Sequence, residues 1–164
     1  MGCSSSSSSS AGQPKGKVIL GYWNMRGGSR GNTARYLLNY CGVKYEEKTY
    51  VVGEPEWKTF KETNPSGIPF INLPYIMDGD TKITESLAIQ QYIAARWKPE
   101  LIGRTPQEKA KVYQMHSIVY DIFINKMIKP GFGTDDRNAV YAGACDGFRP
   151  IFELLESQAF ICGD

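Results

Sequence analysis

A tyrosine and an arginine that follow a short apolar run are the first residues whose types and placement suit a chemical role. Residues 18–22 have the length and composition of a buried strand, and Tyr22 and Arg26 come at its carboxyl end. Ligands of open α/β sheets bind at that end of the strands. A phenol hydroxyl and a guanidinium group placed there offer hydrogen-bond donors to a ligand.

The elements that must hold Tyr22 in place follow it along the chain. The sequence predicts a helix over residues 31–41, which Gly42 ends, and a second strand over residues 44–51. A strand, a helix and a strand in this order form a right-handed crossover. Tyr22 is therefore expected at the top of a crossover unit.

Four more elements complete the predicted sheet domain. A short helix is expected over residues 54–62. An Asp-Gly turn signal then separates two short strands, 75–78 and 82–84, which predicts a hairpin. Ser86 is predicted to cap the helix that follows and runs to about residue 97.

The rest of the chain has an all-helical pattern, and we place the domain boundary within residues 98–103. Thr105 begins a capping box, and the helix that it opens is expected to run to about Ile128, with Pro130 and Gly131 ending it. A second helix is predicted over residues 136–157, with a kink or an early break at Pro150. The apolar residues expected to face a core are Val112, Met115, Val119, Ile122, Phe123, Val140, Phe148, Ile151, Phe152 and Leu155.

The overall composition excludes several classes of function. A formal net charge of +2 and the absence of a Lys/Arg stripe argue against a nucleic-acid partner. No run approaches the roughly 18 apolar residues of a membrane-spanning helix. The four cysteines lack metal-ligand spacing, and His116 is the single histidine, so we expect no zinc site. Free thiols fit a reducing, intracellular compartment.

The amino-terminal segment, residues 1–17, contains seven consecutive serines and is expected to be disordered. It also matches an N-myristoylation pattern, with Gly2 exposed after removal of Met1. Palmitoylation of Cys3 would supply a second membrane anchor. The alternative is an unmodified, flexible tail. The intact mass of the natural amino terminus distinguishes the two.

Four sequence segments, in order, resemble cytosolic glutathione transferases, closest to the mu class with some sigma-like character. These segments are residues 19–23, 26–27, 72–75 and 83–89. The resemblance implies an α/β, thioredoxin-like domain over residues 18–99, followed by a partial all-α domain over residues 104–164. It extends over essentially everything after the amino-terminal segment.

The resemblance implies that the chain conjugates reduced glutathione, as a substrate, to electrophilic small molecules, without cofactor or metal. In this family a tyrosine donates to the glutathione sulfur, and Tyr22 is the matching residue. A free thiol titrates near pH 8.5, so lowering its pKa by about two units takes roughly 2.7 kcal/mol of preferential thiolate stabilisation. A hydrogen bond to an ionised acceptor contributes about 1.5–3 kcal/mol, so one well-aimed hydroxyl supplies most of it.

The resemblance also implies residues that bind the rest of glutathione. A cis peptide between Leu73 and Pro74 would present the backbone of Leu73 to the cysteinyl backbone of the ligand. The α-helix that begins near Glu85 and Ser86 suits the γ-glutamyl group, since its N-terminus attracts a carboxylate. The implied glutathione-binding residues are Trp23, Trp57, Lys61, Asn72, Leu73, Pro74, Glu85, Ser86 and Asp121.

Three of the implied roles involve the glycyl end of glutathione or a second subunit. Trp57 and Lys61 match the family's pair at the glycyl end. Asp121 matches a residue that reaches across a dimer, and Phe70 an aromatic residue that inserts into the neighbouring subunit. The resemblance therefore implies a two-fold homodimer, in the cytoplasm.

The chain departs from the mu-class pattern in three places near the site. The segment from Arg26 to Arg35 is two residues longer, and within it Ser29 is a candidate second hydroxyl, as in serine-type relatives. The loop before Trp57 is shorter and lacks the glycyl-binding arginine. The family's acceptor-site tyrosine falls at Gly131, next to Phe132.

These departures, and the family's central carboxyl-terminal helix falling beyond residue 164, keep two alternatives open. The first is a catalytically weak or silent relative that serves as a scaffold or docking module, membrane-tethered or part of a larger assembly. The second is a sigma-like, glutathione-dependent isomerase or peroxidase. Turnover of a generic electrophile separates the transferase from the scaffold.

Overall fold

The structure is a computed structural model that describes residues 16–25 and 29–157. The acylation candidates Gly2 and Cys3, and Arg26, lie outside the described residues, as does most of the serine-rich segment. The chain divides into two compact units, residues 1–101 and 102–164.

The first unit is built on a mixed sheet of four strands. The strands are β1 (Val18–Trp23), β2 (Tyr45–Tyr50), β3 (Tyr75–Asp78) and β4 (Thr81–Thr84), in the spatial order β2-β1-β3-β4. β1 and β2 are parallel, while β3 is antiparallel to both β1 and β4. The predicted crossover and the predicted hairpin are both confirmed.

Three α-helices accompany this sheet: α1 (Arg30–Tyr40), α2 (Pro55–Thr63) and α3 (Ser86–Trp97), with a 3₁₀-helix at Pro99–Ile102. The prediction that Ser86 caps α3 is wrong, because Glu85 is the N-cap residue and Ser86 is the first helical residue. Helices α1 and α3 pack together over one apolar cluster. Its buried members are Val18, Leu20, Ala34, Leu38, Val43, Ile76, Ile89 and Ile93.

A second buried cluster, which we call the aromatic cluster, contains Tyr22, Tyr50, Ile68, Ile71, Leu73 and Tyr75. Within it the hydroxyls of Tyr50 and Tyr75 are hydrogen bonded at 2.9 Å. Burial raises the pKa of both phenols, so both remain protonated at neutral pH. This pair supplies each hydroxyl with a partner inside the core.

We expect the Tyr75→Phe substitution to destabilise the protein by about 1–3 kcal/mol, because it leaves the Tyr50 hydroxyl buried without its partner. Urea denaturation measures the loss. The double substitution Tyr50→Phe with Tyr75→Phe is the control, since it removes both hydroxyls together. Its cost should be smaller than the sum of the two single costs, and strict additivity would contradict this account.

Up to residue 157, the second unit contains three α-helices: α4 (Pro106–Ile122), α5 (Lys129–Gly133) and α6 (Arg137–Ser157), with a π-helical segment, Phe123–Ile128, between α4 and α5. The predicted capping box is present, because Thr105 accepts from the Glu108 backbone and Glu108 accepts from that of Thr105. The helical run reaches Ile128, as predicted, but the prediction that Pro130 and Gly131 end it is wrong. Pro130 lies in the first turn of α5, where its missing N–H is tolerated.

Two other expectations for the second unit can be compared with the structure. Helix α6 continues through Pro150, which excludes the early break and leaves the kink as a prediction. Among the residues described in this unit, Ala144 and Ile151 are the buried ones, whereas Val119, Phe152 and Leu155, expected in a core, are exposed. The apolar faces of these helices are therefore partly uncovered. None of the helices in the described part of the chain is both long and apolar enough to cross a bilayer.

Candidate active site

The strand register brings the ends of three segments to one edge of the sheet. Gly21 pairs with Tyr75, and Tyr75 pairs with Thr84. Tyr22, Pro74 and Glu85 each lie one residue beyond these paired positions. The tyrosine, the proline and the start of α3 therefore share this edge, which we call the site edge.

Tyr22 is held by close packing against α1. The residue is 6% exposed. A Cβ atom built on Gly31, in the first turn of α1, would lie 2.3 Å from Cδ1 of the Tyr22 ring. No hydrogen bond joins the Tyr22 hydroxyl to another residue in the described ranges 16–25 and 29–157. The ring is fixed by contact, and its hydroxyl has no described protein partner.

Ser29, the candidate second hydroxyl, is the N-cap residue of α1 and is buried. Its side chain makes no capping hydrogen bond. Among the described residues its hydroxyl has no hydrogen-bond partner at all. A buried hydroxyl without a partner is costly unless something outside the described residues satisfies it.

The segment before β3 presents free backbone groups at the site edge. The Leu73–Pro74 peptide is cis, as the resemblance implies. The Thr84 hydroxyl lies 3.1 Å from the carbonyl oxygen of Asn72 and 3.3 Å from that of Pro74. No backbone hydrogen bond joins Leu73 to another described residue. Its N–H and C=O are thus available to an extended ligand.

The start of α3 combines a strained residue with a buried hydroxyl-bearing one. Glu85 is exposed and has φ of 73°, a left-handed conformation that is rare for a residue with a side chain. Ser86 is buried, with 4% exposure. Such strain is concentrated at functional sites, and a helix N-terminus attracts an anion.

Trp23 and Trp57 approach each other beside the aromatic cluster. Their ring centroids are 6.1 Å apart in an edge-to-face arrangement, and the Trp57 ring lies 5.1 Å from that of Tyr50. Lys61 follows one turn later on α2 and is exposed, as is Asn72 on the cis-proline segment. The structure brings the two tryptophans together and leaves Lys61 and Asn72 in solvent.

Two residues implied to meet a second subunit are exposed. Phe70 is 95% exposed and has φ of 54°. Asp121 is exposed on α4 in the second unit.

Phe132, beside the family's acceptor-site position, is 90% exposed. In the described ranges no group of three or more His, Cys, Asp or Glu side chains could hold a metal ion.

One residue near Tyr22 had no predicted role. The Arg35 guanidinium carbon lies 5.6 Å from the centroid of the Tyr22 ring, and its nitrogens donate to the backbone of Trp23 and Met25. One feature of the sequence could have pointed to Arg35. It lies next to the core positions Ala34 and Leu38 on α1, and a charged residue beside core positions usually has hydrogen-bond or ionic partners.

Comparison with known proteins identifies a matching family and several relatives. Residues 19–95 match the family described as the glutathione S-transferase N-terminal domain. Glutathione S-transferase Mu 4 of Rattus norvegicus is 35% identical over 154 residues, covering 90% of this chain and 68% of the relative. Glutathione S-transferase Mu 2 of Macaca fascicularis is 45% identical over 145 residues, covering 86% and 57%. The chain thus spans little more than half of the latter.

Solved structures show the same fold. A glutathione S-transferase of the nematode C. elegans aligns with a TM-score of 0.70 at 24% identity, covering 90% of this chain and 73% of that one. This fold is a thioredoxin-like domain followed by a helical domain. The match to the rat relative, at 35% identity and covering 68% of it, shows that this chain belongs to the glutathione S-transferase family.

Proposed function

We propose that this protein conjugates reduced glutathione to electrophilic small molecules. The observation that carries the proposal is the site edge, where the Tyr22 side chain, the free backbone of Leu73 and the N-terminus of α3 lie together. These three groups match the three chemical needs of a bound tripeptide: a donor to sulfur, a backbone pair and an anion site. The names of the relatives support the same activity.

Each part of glutathione has a proposed partner in this arrangement. The cysteinyl backbone pairs with Leu73, while Ser86 and the N–H groups of α3 bind the γ-glutamyl carboxylate. Glu85 binds the γ-glutamyl ammonium. Trp57 and Lys61 bind the glycyl end, the lysine by its charge. The remaining implied contacts come from Trp23, Asn72 and Pro74.

In the reaction, Tyr22 donates a hydrogen bond to the glutathione sulfur. The thiol releases its proton to solvent, and the resulting thiolate is stabilised by that bond. The sulfur lone pair then forms a bond to the electrophilic carbon. With an aryl halide the halide ion leaves with the electron pair of the broken bond.

Retention on immobilised glutathione, followed by turnover of a dinitrophenyl halide, tests the proposed activity. We expect the protein to bind the resin, to elute with free glutathione and to form the conjugate at a rate above the uncatalysed reaction. Binding without turnover would favour the scaffold alternative, and its support is the uncovered apolar surface of the second unit. Failure to bind glutathione at all would exclude both the transferase and the isomerase or peroxidase.

We also propose a homodimer in which Phe70 inserts into the second subunit and Asp121 reaches toward its glutathione. The support is the near-complete exposure of Phe70, an unusual state for a phenylalanine in a single chain. Light scattering should give twice the chain mass, and Phe70→Ala should shift the equilibrium toward the monomer. A wild-type monomer would contradict this part of the proposal.

Ser29 provides a prediction that separates structure from activity. Because its buried hydroxyl has no described partner, Ser29→Ala should keep or slightly raise the free energy of unfolding. If the hydroxyl donates to the bound thiolate, the same change should lower the conjugation rate several-fold, about the worth of a 1 kcal/mol hydrogen bond. Thermal denaturation and steady-state kinetics measure both. An unchanged rate would remove Ser29 from the site.

For the amino terminus we propose a cytoplasmic protein whose Gly2 and Cys3 are acylated. The support is the match of these residues to the acylation pattern. The intact mass of the natural protein tests it, since a myristoyl or palmitoyl group adds a defined mass. A free or acetylated amino terminus would contradict it.

A further inference from the structure

Arg35 connects four segments that surround Tyr22. Its Nη1 donates to the Met25 carbonyl at 3.0 Å, and its Nη2 donates to the Trp23 carbonyl at 3.2 Å. It also donates to the Asn32 side chain on α1 and forms an ion pair with Glu47 on β2. These bonds engage all three guanidinium nitrogens, and the Arg35 side chain is 15% exposed.

The two carbonyls that Arg35 holds belong to the first and third residues after Tyr22. Trp23 ends β1 and Met25 leads into the connection to α1, which itself carries the glycine against which the Tyr22 ring packs. The guanidinium also lies over the Tyr22 ring, within the range of a cation–π contact. One side chain therefore contacts the Tyr22 ring and bonds to the chain that follows it.

We propose that Arg35 is a positioning residue for the transfer reaction, which fixes the direction of the Tyr22 hydroxyl by holding the chain after β1 against α1 and β2. This inference rests on the proposed function, since it concerns the donor to the glutathione sulfur. A planar guanidinium with donors in fixed directions can hold several acceptors at once, and a lysine ammonium cannot reproduce that arrangement.

The ion pair between Arg35 and Glu47 allows an experiment to distinguish a positioning role of Arg35 from a direct effect of its charge. Within residues 16–25 and 29–157, the titratable and charged groups for which an interaction with Arg35 is seen are Tyr22 of β1 and Tyr45 and Glu47 of β2. The Glu47 carboxylate offsets part of the charge of the guanidinium. A variant that removes this carboxylate charge therefore changes the electrostatic effect of Arg35, while an acceptor oxygen for its hydrogen bond is kept.

The test uses the full chain in its natural oligomeric state with glutathione bound. The ultraviolet absorbance of the thiolate is measured as a function of pH. We expect Arg35→Lys to raise the midpoint by about one pH unit, equivalent to a tenfold loss of thiolate preference. The conjugation rate should fall tenfold or more at neutral pH and recover toward wild type in alkali. The Michaelis constant for glutathione should change less than threefold.

Two further variants distinguish positioning from a charge effect and from a general loss of stability. Glu47→Gln retains an acceptor oxygen for Arg35 and removes the negative charge, so positioning predicts an unchanged midpoint and a charge effect predicts a lower one. Arg96→Lys is the matched control, because Arg96 is also part-buried, lies 3.7 Å from the Asp78 carboxylate and contacts a tryptophan ring at 5.8 Å. It should cost stability without moving the midpoint.

The outcomes distinguish this inference from the proposed function. The role of Arg35 is overturned, and the proposed function is not, if wild type lowers the midpoint of the bound thiol and Arg35→Lys has the same midpoint. If Arg35→Lys does not fold, a lowered midpoint in Glu47→Gln still overturns the role, and an unchanged one supports it. A wild-type protein whose bound thiol titrates like free glutathione overturns both.

Discussion

Replacing Tyr22 with phenylalanine is expected to lower the conjugation rate at neutral pH by roughly ten- to a hundredfold. The change removes one hydrogen bond to an ionised sulfur, worth about 1.5–3 kcal/mol, and each 1.4 kcal/mol is a tenfold effect. The ring itself is kept, so its packing against Gly31 is preserved. Glutathione affinity should therefore change far less than the rate.

The pH profile of the Tyr22→Phe variant gives the sharper measurement. Loss of the donor should move the midpoint of thiolate formation up toward the value of free glutathione, near pH 8.5 for an ordinary thiol. The deficit in rate should then shrink as the pH rises. Equal losses of glutathione binding and of rate would show instead that Tyr22 is structural.

Substituting alanine for Gly31 is expected to have an effect of similar size by a different route. The new Cβ would lie within 2.3–2.9 Å of three atoms of the Tyr22 ring, so the ring or the helix has to move. Overpacking of this kind costs about 1–3 kcal/mol of stability. A displacement near 1 Å at a reacting group can also cost about a hundredfold in rate.

Gly143 in α6 supplies the matched control, since a Cβ added there meets nothing within 4 Å. Gly143→Ala should stabilise the helix by about 0.5–1 kcal/mol and leave the conjugation rate unchanged. Denaturant unfolding and initial rates on both variants test the pair. A Gly31→Ala variant with wild-type rate and stability would show that the Tyr22 ring is not held as the structure places it.

The order of elements in the first unit was predictable because each element has a local signal. The apolar run before Tyr22, the Asp-Gly turn at 78–79 and the glycine after α1 all lie within the segments that they define. Predicted and observed bounds of α2 differ by one residue at each end. The likeness to a known family, rather than periodicity, pointed to Leu73 and Pro74.

The features that were missed depend on parts of the chain distant in sequence. Arg35 has partners on β1, β2 and its own helix, and no spacing rule links those positions. Helix α3 begins at Ser86, one residue earlier than predicted. The residue before it, Glu85, has a left-handed backbone, which a residue with a side chain adopts when its surroundings impose it. At Pro130 a proline was treated as a terminator, whereas the π-helical segment before it allows a new helical turn to begin there.

Because Trp23 and Trp57 lie close together, the intrinsic tryptophan fluorescence of the protein can report on ligand binding. Two of its three indoles lie 6.1 Å apart beside the proposed glutathione-binding site, while Trp97 lies on α3 against Tyr92. Occupancy of that site would change the polarity around the first two and leave the third as an internal reference. Ligand titrations could then be followed through native emission, without a dye or a coupled assay.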